Sequence, residues 1–172
     1  MHDHSHSSQH DHDHDHDDEG RCVPHSNAAA VRSYHKHGVR FLFPADWTIS
    51  EQSSEEETTI SLQSDGTSFW TLMLFHQRPE LDDVLNTVVD AFEQDYDDVD
   101  VISTVESLGG LPALGRDLDF VCYDLVNSAS VRALQTSDLT LMVLYQGTDH
   151  ELKETRDQLQ SISASLVCDN DD

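Results

Sequence analysis

The chain has 172 residues, of which 34 are Asp or Glu and 9 are Lys or Arg, giving a formal net charge of -25. At 37% hydrophobic residues it supports one modest core and not two full domains. Charge of this sign repels nucleic-acid phosphates and anionic lipid headgroups, so neither nucleic acid nor membrane is an expected partner. No run approaches the roughly 18 apolar residues of a bilayer span, and the polar N-terminus lacks the apolar stretch of a secretory signal, so a cytoplasmic chain is expected. Cys22, Cys122 and Cys168 are odd in number and widely spaced; they describe no disulfide framework and read as reduced thiols.

Residues 1–37 hold ten of the twelve histidines and almost no large apolar side chains. Such a segment cannot bury enough surface to offset the entropy of ordering, and a disordered tail is expected there. Within it His10, His12, His14 and His16 alternate with aspartates, after His2, His4 and His6. Neutral imidazole is a good ligand for zinc, nickel and copper, and the intervening carboxylates add oxygen donors and a field that concentrates cations. The tail is therefore expected to bind a divalent transition metal, zinc or nickel, with many competing ligand sets and no fixed geometry. A solvated low-complexity leader is the plainer alternative. Cys22, His25, His35 and His37 form a weaker candidate set for tetrahedral zinc; their spacing matches no known finger, and coincidence in a His-rich leader is the preferred reading.

From Gly38 to about residue 167 the composition is that of a globular domain, followed by an acidic fringe at 168–172. Val39, Phe41 and Phe43 mark a strand ended by Pro44, and a second runs over 47–52. Ile60 and Leu62 mark a third, which Asp65-Gly66 turns as a hairpin. Residues 69–75 are apolar at nearly every position, as in a strand covered on both faces. After Pro79, placed as a first helical residue, Leu81, Val84, Leu85, Val88, Val89, Phe92 and Tyr96 recur at helical spacing. Strands are expected over 99–105, 114–123, 128–134 and 139–145, with turns at Gly109-Gly110 and near Asn127-Ser128. A second helix opens at Thr148, with Glu151 completing a capping box and Leu152, Leu159, Ile162 and Leu166 as its buried stripe. Strands, helix, strands, helix in this order imply an α+β fold, a mostly antiparallel sheet with two main helices packed on it.

Phe41-Leu-Phe-Pro44-Ala-Asp-Trp47 resembles the Phe-x-x-Pro-x-x-Trp opening of bacterial domains related to DcrB, the photosystem extrinsic protein PsbP and the Ran-binding protein Mog. The resemblance extends through the long helix, the glycine turn at Leu108-Gly109-Gly110-Leu-Pro112 and the closing strand and helix, over roughly residues 38–167. It implies a PsbP/Mog-like sandwich whose relatives bind or assist partners and are not generally enzymes. Many relatives are exported or membrane-associated, whereas Cys22 follows Glu19-Gly20-Arg21, which is no lipidation context.

Candidate chemistry inside the domain is thin, and no catalytic or cofactor-binding residue is assigned. His76 reads as a strand-end hydrogen-bonding residue and Cys122 as an inert thiol in a strand. Asp117 and Asp119 share a strand face and form a cation site, an acid/base pair or, by default on so acidic a chain, solvated carboxylates. Asp95, Asp97, Asp98 and Asp100 lack the central Gly and distal Glu of an EF-hand loop, while Trp47 and Trp70 read as packing residues. The expectation is a non-catalytic binding or accessory domain with an unidentified protein partner and a metal-binding tail. The alternatives are a metal store or metallochaperone, and a metal-dependent enzyme of unknown substrate.

Overall fold

The computed structural model describes residues 30–169. In chain order the elements are β1 (Val31–Lys36), β2 (Val39–Pro44), β3 (Thr48–Ser53), β4 (Glu57–Gln63), β5 (Phe69–Phe75), α1 (Leu81–Asp95), β6 (Asp100–Leu108), β7 (Leu111–Cys122), β8 (Leu125–Gln135), β9 (Thr140–Thr148), α2 (Asp149–Ala164) and β10 (Val167–Cys168). All pairings are antiparallel. Seven strands form one sheet in the order β3-β4-β5-β9-β8-β7-β6, and β1-β2-β10 form a second.

The period-two burial of β5 explains why both faces of the large sheet are covered. Trp70, Leu72 and Leu74 point to a core shared with α2 and the small sheet, where Phe41 meets Trp70 with ring centroids 4.8 Å apart. Met73 and Phe75 point the other way, toward the core beneath α1. There Phe92 and Tyr96 pack on Phe120 at 5.1 and 4.4 Å between centroids. The result is a three-layer sandwich, with α1 on one face and α2 plus the small sheet on the other. Each helix follows the apolar strand that feeds it, β5 for α1 and β9 for α2.

Several boundaries differ from the sequence reading. The fold begins before Gly38: β1 pairs with β2 over six residues, and Tyr34, 6% exposed, stacks on Phe41 at 4.9 Å. The fold also runs past residue 167, because Cys168 is buried in β10 and the Asp169 amide donates to the Gly38 carbonyl at 2.8 Å. Pro79 precedes α1 without joining it, its carbonyl accepting from Thr140 Oγ1 at 2.6 Å and Gln135 Nε2 at 2.9 Å. The β7–β8 turn is made by Tyr123 and Asp124, both at positive φ, while Asn127 lies within β8. Thr148 caps α2 as expected, accepting from the Glu151 amide, but the Glu151 carboxylate turns away to the β4–β5 hairpin and completes no capping box. Trp47 and Trp70 are core residues as expected.

Candidate functional site

α2 lies against β2, β9 and β8, and among the described residues no element packs on the same sheet face over β6 and β7. The register brings three cross-strand rows to that open face: Asp100, Asp119 and Ser128; Ile102, Asp117, Ser130 and Tyr145; Thr104, Gly115, Arg132 and Val143. A groove runs between these rows and α2. It comprises an inner cavity of about 270 Å³ beside Gln160 and Ala164 and an outer one of about 450 Å³ beside Asp149 and Arg156. Ser130, Arg132, Tyr145 and Gln160 line both.

Arg132 organises the floor. Its side chain is only 13% exposed, with Nε donating to Glu106 at 2.6 Å and Nη1 to Asp117 at 2.8 Å. Burial works against its charge, and its hydrogen bonds to Asp117 and Glu106 outweigh that and hold the guanidinium above the ordinary value. Gly115 makes the arrangement possible, since a Cβ there would lie 2.7 Å from Arg132 Cδ and 2.8 Å from Nη1. Beside it the Thr104 hydroxyl is buried and has no hydrogen-bond partner among the described residues. Ser128 donates to Asp119 at 2.5 Å. The groove therefore offers hydrogen-bond donors and acceptors around a neutralised arginine.

Beside the groove the β6–β8 edge of the sheet is apolar. Of the ten large hydrophobic residues exposed among the described residues, seven lie on β6, β7, β8 and the turn between the last two: Val101, Ile102, Val105, Val121, Tyr123, Leu125 and Val126. Tyr123, 94% exposed at the tip, is the most prominent. These side chains are gathered along one edge of the sheet, on both of its faces, and are not scattered singly over the surface.

The sequence-predicted residues fall largely elsewhere. His2, His4, His6, His10, His12, His14, His16, Cys22 and His25 lie outside the described residues. His35 and His37 do not converge: His35 Nε2 lies 3.0 Å from Asp169 and His37 Nε2 donates to Glu51 at 2.7 Å. Glu51 also accepts from the Tyr34 hydroxyl at 3.0 Å and from Lys36 at 3.3 Å. The His37 hydrogen bond is the largest influence on its carboxyl, which is held below the ordinary value despite a desolvation cost. Burial, reinforced by Glu51, pushes the Tyr34 hydroxyl up. Among the described residues no group of three His, Cys, Asp or Glu side chains has metal-binding geometry. Asp117 is engaged by Arg132, so Asp117 and Asp119 do not act as one pair.

His76 sits at the end of β5 with Nδ1 3.0 Å from the Glu55 carbonyl and Nε2 3.3 Å from Thr58 Oγ1, as a strand-end residue does. Cys122 and Cys168 are free thiols, and burial pushes that of Cys168 up. Sequence reasoning did not single out Arg132. Its signal was an arginine within an apolar strand and a glycine inside the neighbouring one.

The chain matches no protein-family model and no curated protein sequence. Its structure is similar to that of LpqN, a protein involved in cell envelope biogenesis of Mycobacterium tuberculosis, with TM-score 0.56 and 12% identity over 82% of this chain and 91% of that one. It is similar to the cyanobacterial PsbP of Synechocystis, CyanoP, with TM-score 0.57 and 13% identity over 84% and 95%. A Bacteroides thetaiotaomicron protein gives 0.55 and 10% over 81% and 49%. The fold is a PsbP-like α/β sandwich. No helix among the described residues is long and apolar enough to cross a membrane.

Proposed function

We propose that this PsbP-like sandwich is a non-catalytic binding domain that docks a protein partner through the β6–β8 end, and that its His/Asp-rich leader binds divalent transition metal, zinc or nickel. The observation that carries the docking reading is the concentration of exposed apolar side chains along one edge of the sheet in a chain that is otherwise strongly acidic. The chemistry of the groove supports binding over catalysis. Glu106 and Asp117 are committed to Arg132, and a general base must be free to take a proton. The metal reading rests on the leader's alternating imidazoles and carboxylates.

The experiment is a photoreactive side chain placed at Tyr123 in the full chain and, as control, at Gln52 on the opposite sheet edge. A recurrent adduct of one mass from Tyr123, displaced by unlabelled chain but not by the Leu125→Ser variant, is expected. Equal labelling at Gln52, or adducts of many masses, would overturn the docking reading.

A further inference from the structure

The two edges of the seven-stranded sheet are written differently. β3 presents Thr48, Ser50, Glu51, Gln52 and Ser53, almost all polar and exposed. β6 runs nine residues, contains neither Lys nor Pro, and keeps an unbroken register with β7 from Asp100 to Leu108. Among the described residues nothing pairs with its other side. Edge strands are ordinarily guarded by shortness, lysine, proline or bulges, because a row of unpaired amides and carbonyls accepts any extended chain. β6 carries none of these, and its own charged side chains, Asp100 and Glu106, are both acidic.

The side chains of β6 specify what such a chain looks like. On the α1 face Val101 and Val105 are exposed, Val105 at 78%. On the groove face stand Asp100, Ile102, Thr104 and Glu106; Glu106 is held by Arg132, whereas Asp100 lies directly opposite Asp119 in the register. Like charges opposite one another are destabilising, and a cation placed beside them relieves the repulsion. A second copy of this chain paired antiparallel would bring its own Asp100 and Glu106 to the same face as these acids, adding negative charge there and no cation.

We infer that β6 takes an extended segment of the partner protein as an additional strand of the sheet, with side chains alternating between apolar on the α1 face and basic on the groove face. This rests on the protein-docking reading and names the partner's chemistry. Main-chain hydrogen bonds supply affinity in this mode and the alternating side chains supply selectivity.

The test is hydrogen exchange on the full chain with a nonapeptide alternating valine and lysine, beside its valine and glutamate counterpart. Alternate amides of Asp100–Leu108, those facing away from β7, should become protected by the basic peptide only. Its affinity should fall about tenfold in the Val101→Lys, Val105→Lys double variant, which restores the missing guards at exposed positions. Protection confined to Ser130, Tyr145 and α2, or protection of the outward β6 amides in the free chain at any concentration, would overturn strand addition. An unprotected β6 together with retained Tyr123 adducts would discard this mode and leave the docking surface standing; loss of both would discard the docking reading as well.

Discussion

The carboxylate of Glu151, in the first turn of α2, accepts the backbone amide of Thr67 in the β4–β5 hairpin at 2.7 Å across 84 residues of chain. The Ser68 amide donates to the same oxygen at 3.2 Å and the Thr67 hydroxyl to the other. Gly66 leaves the room, because a Cβ there would fall on Glu151 Oε1. One side chain thus ties a hairpin of the large sheet to the start of the helix that covers it.

Replacing Glu151 by Ala should cost about 1–2 kcal/mol, since charge-assisted hydrogen bonds to a part-exposed carboxylate are lost. Gly66→Ala should cost a similar amount by displacing the same carboxylate. The double variant should therefore cost much less than the sum, and strict additivity in denaturant melts would disprove the shared mechanism. Burial disfavours the charge of Glu151, but the hydrogen bonds from Thr67 and Ser68 outweigh it and hold the carboxyl below its ordinary 4.5. Its contribution is fully present above that value and is lost as pH falls through the lower folded-state value. The gap between wild type and Glu151→Ala should accordingly close in acid and stay constant from pH 6 upward.

The buried indole of Trp70 donates from Nε1 to Ser163 Oγ at 2.9 Å. Ser163→Ala leaves that N–H without a partner and should destabilise by about 1–3 kcal/mol. In a Trp70→Phe background the same change should have little effect. A full penalty in that background would place the importance of Ser163 in its own bond to the Leu159 carbonyl.

Tyr123 and Asp124 occupy a two-residue hairpin turn at φ of 50° and 62°, where Asn-Gly is the ordinary pair. Tyr123→Asn with Asp124→Gly should stabilise the fold by about 1 kcal/mol by relieving the left-handed backbone. It should also remove the exposed ring and weaken partner capture. A variant that is stabilised and docks as well as wild type would show that Tyr123 takes no part in recognition.

Residues 30–169 hold 25 Asp and Glu against eight Lys and Arg. The compact state repels itself, and screening lengths fall from about 30 Å at 0.01 M salt to about 3 Å at 1 M. The melting temperature should rise clearly across that range. A flat profile would mean that ion pairs such as Arg132 with Glu106 and Asp117 already balance the field.

Zinc or nickel binding by the full chain should be strong at pH 7.5 and lost near pH 5.5, because imidazole must shed a proton of pKa about 6.5 to ligate. Ala at His10, His12, His14 and His16 should remove most of the capacity. Ala at His35 and His37 should not, since those rings face Asp169 and Glu51 on separate elements. Calorimetry giving the reverse pattern would move the site to the junction with the fold.

The parts of this architecture that could be read from sequence are those where many side chains repeat one signal. β5 and α1 carry six or seven apolar residues each at the right period, and their positions followed. β1 went unread because its one core side chain, Tyr34, stands among polar and basic neighbours and its partner is supplied by β2. The β7–β8 turn was misplaced because Tyr123-Asp124 contains no glycine, while Asn127, a turn former by type, donates its amide to the Leu125 carbonyl within β8. The groove was illegible for a different reason. Arg132, Glu106, Asp117 and Gly115 come from three strands, and only the cross-strand register brings them together.

β1 and β10 are both antiparallel to β2 and hence parallel to each other, with Val31 beside Pro44 and Cys168 beside Val39. Tension applied between the leader and the C-terminal segment therefore pulls β1 and β10 in opposite directions along β2. The load falls on all six register pairs of β1 at once as shear, in place of parting them one by one. A leader held at its far end could thus be pulled without peeling open the first strand, and the force at which the chain yields would report the rate of unfolding of the small sheet.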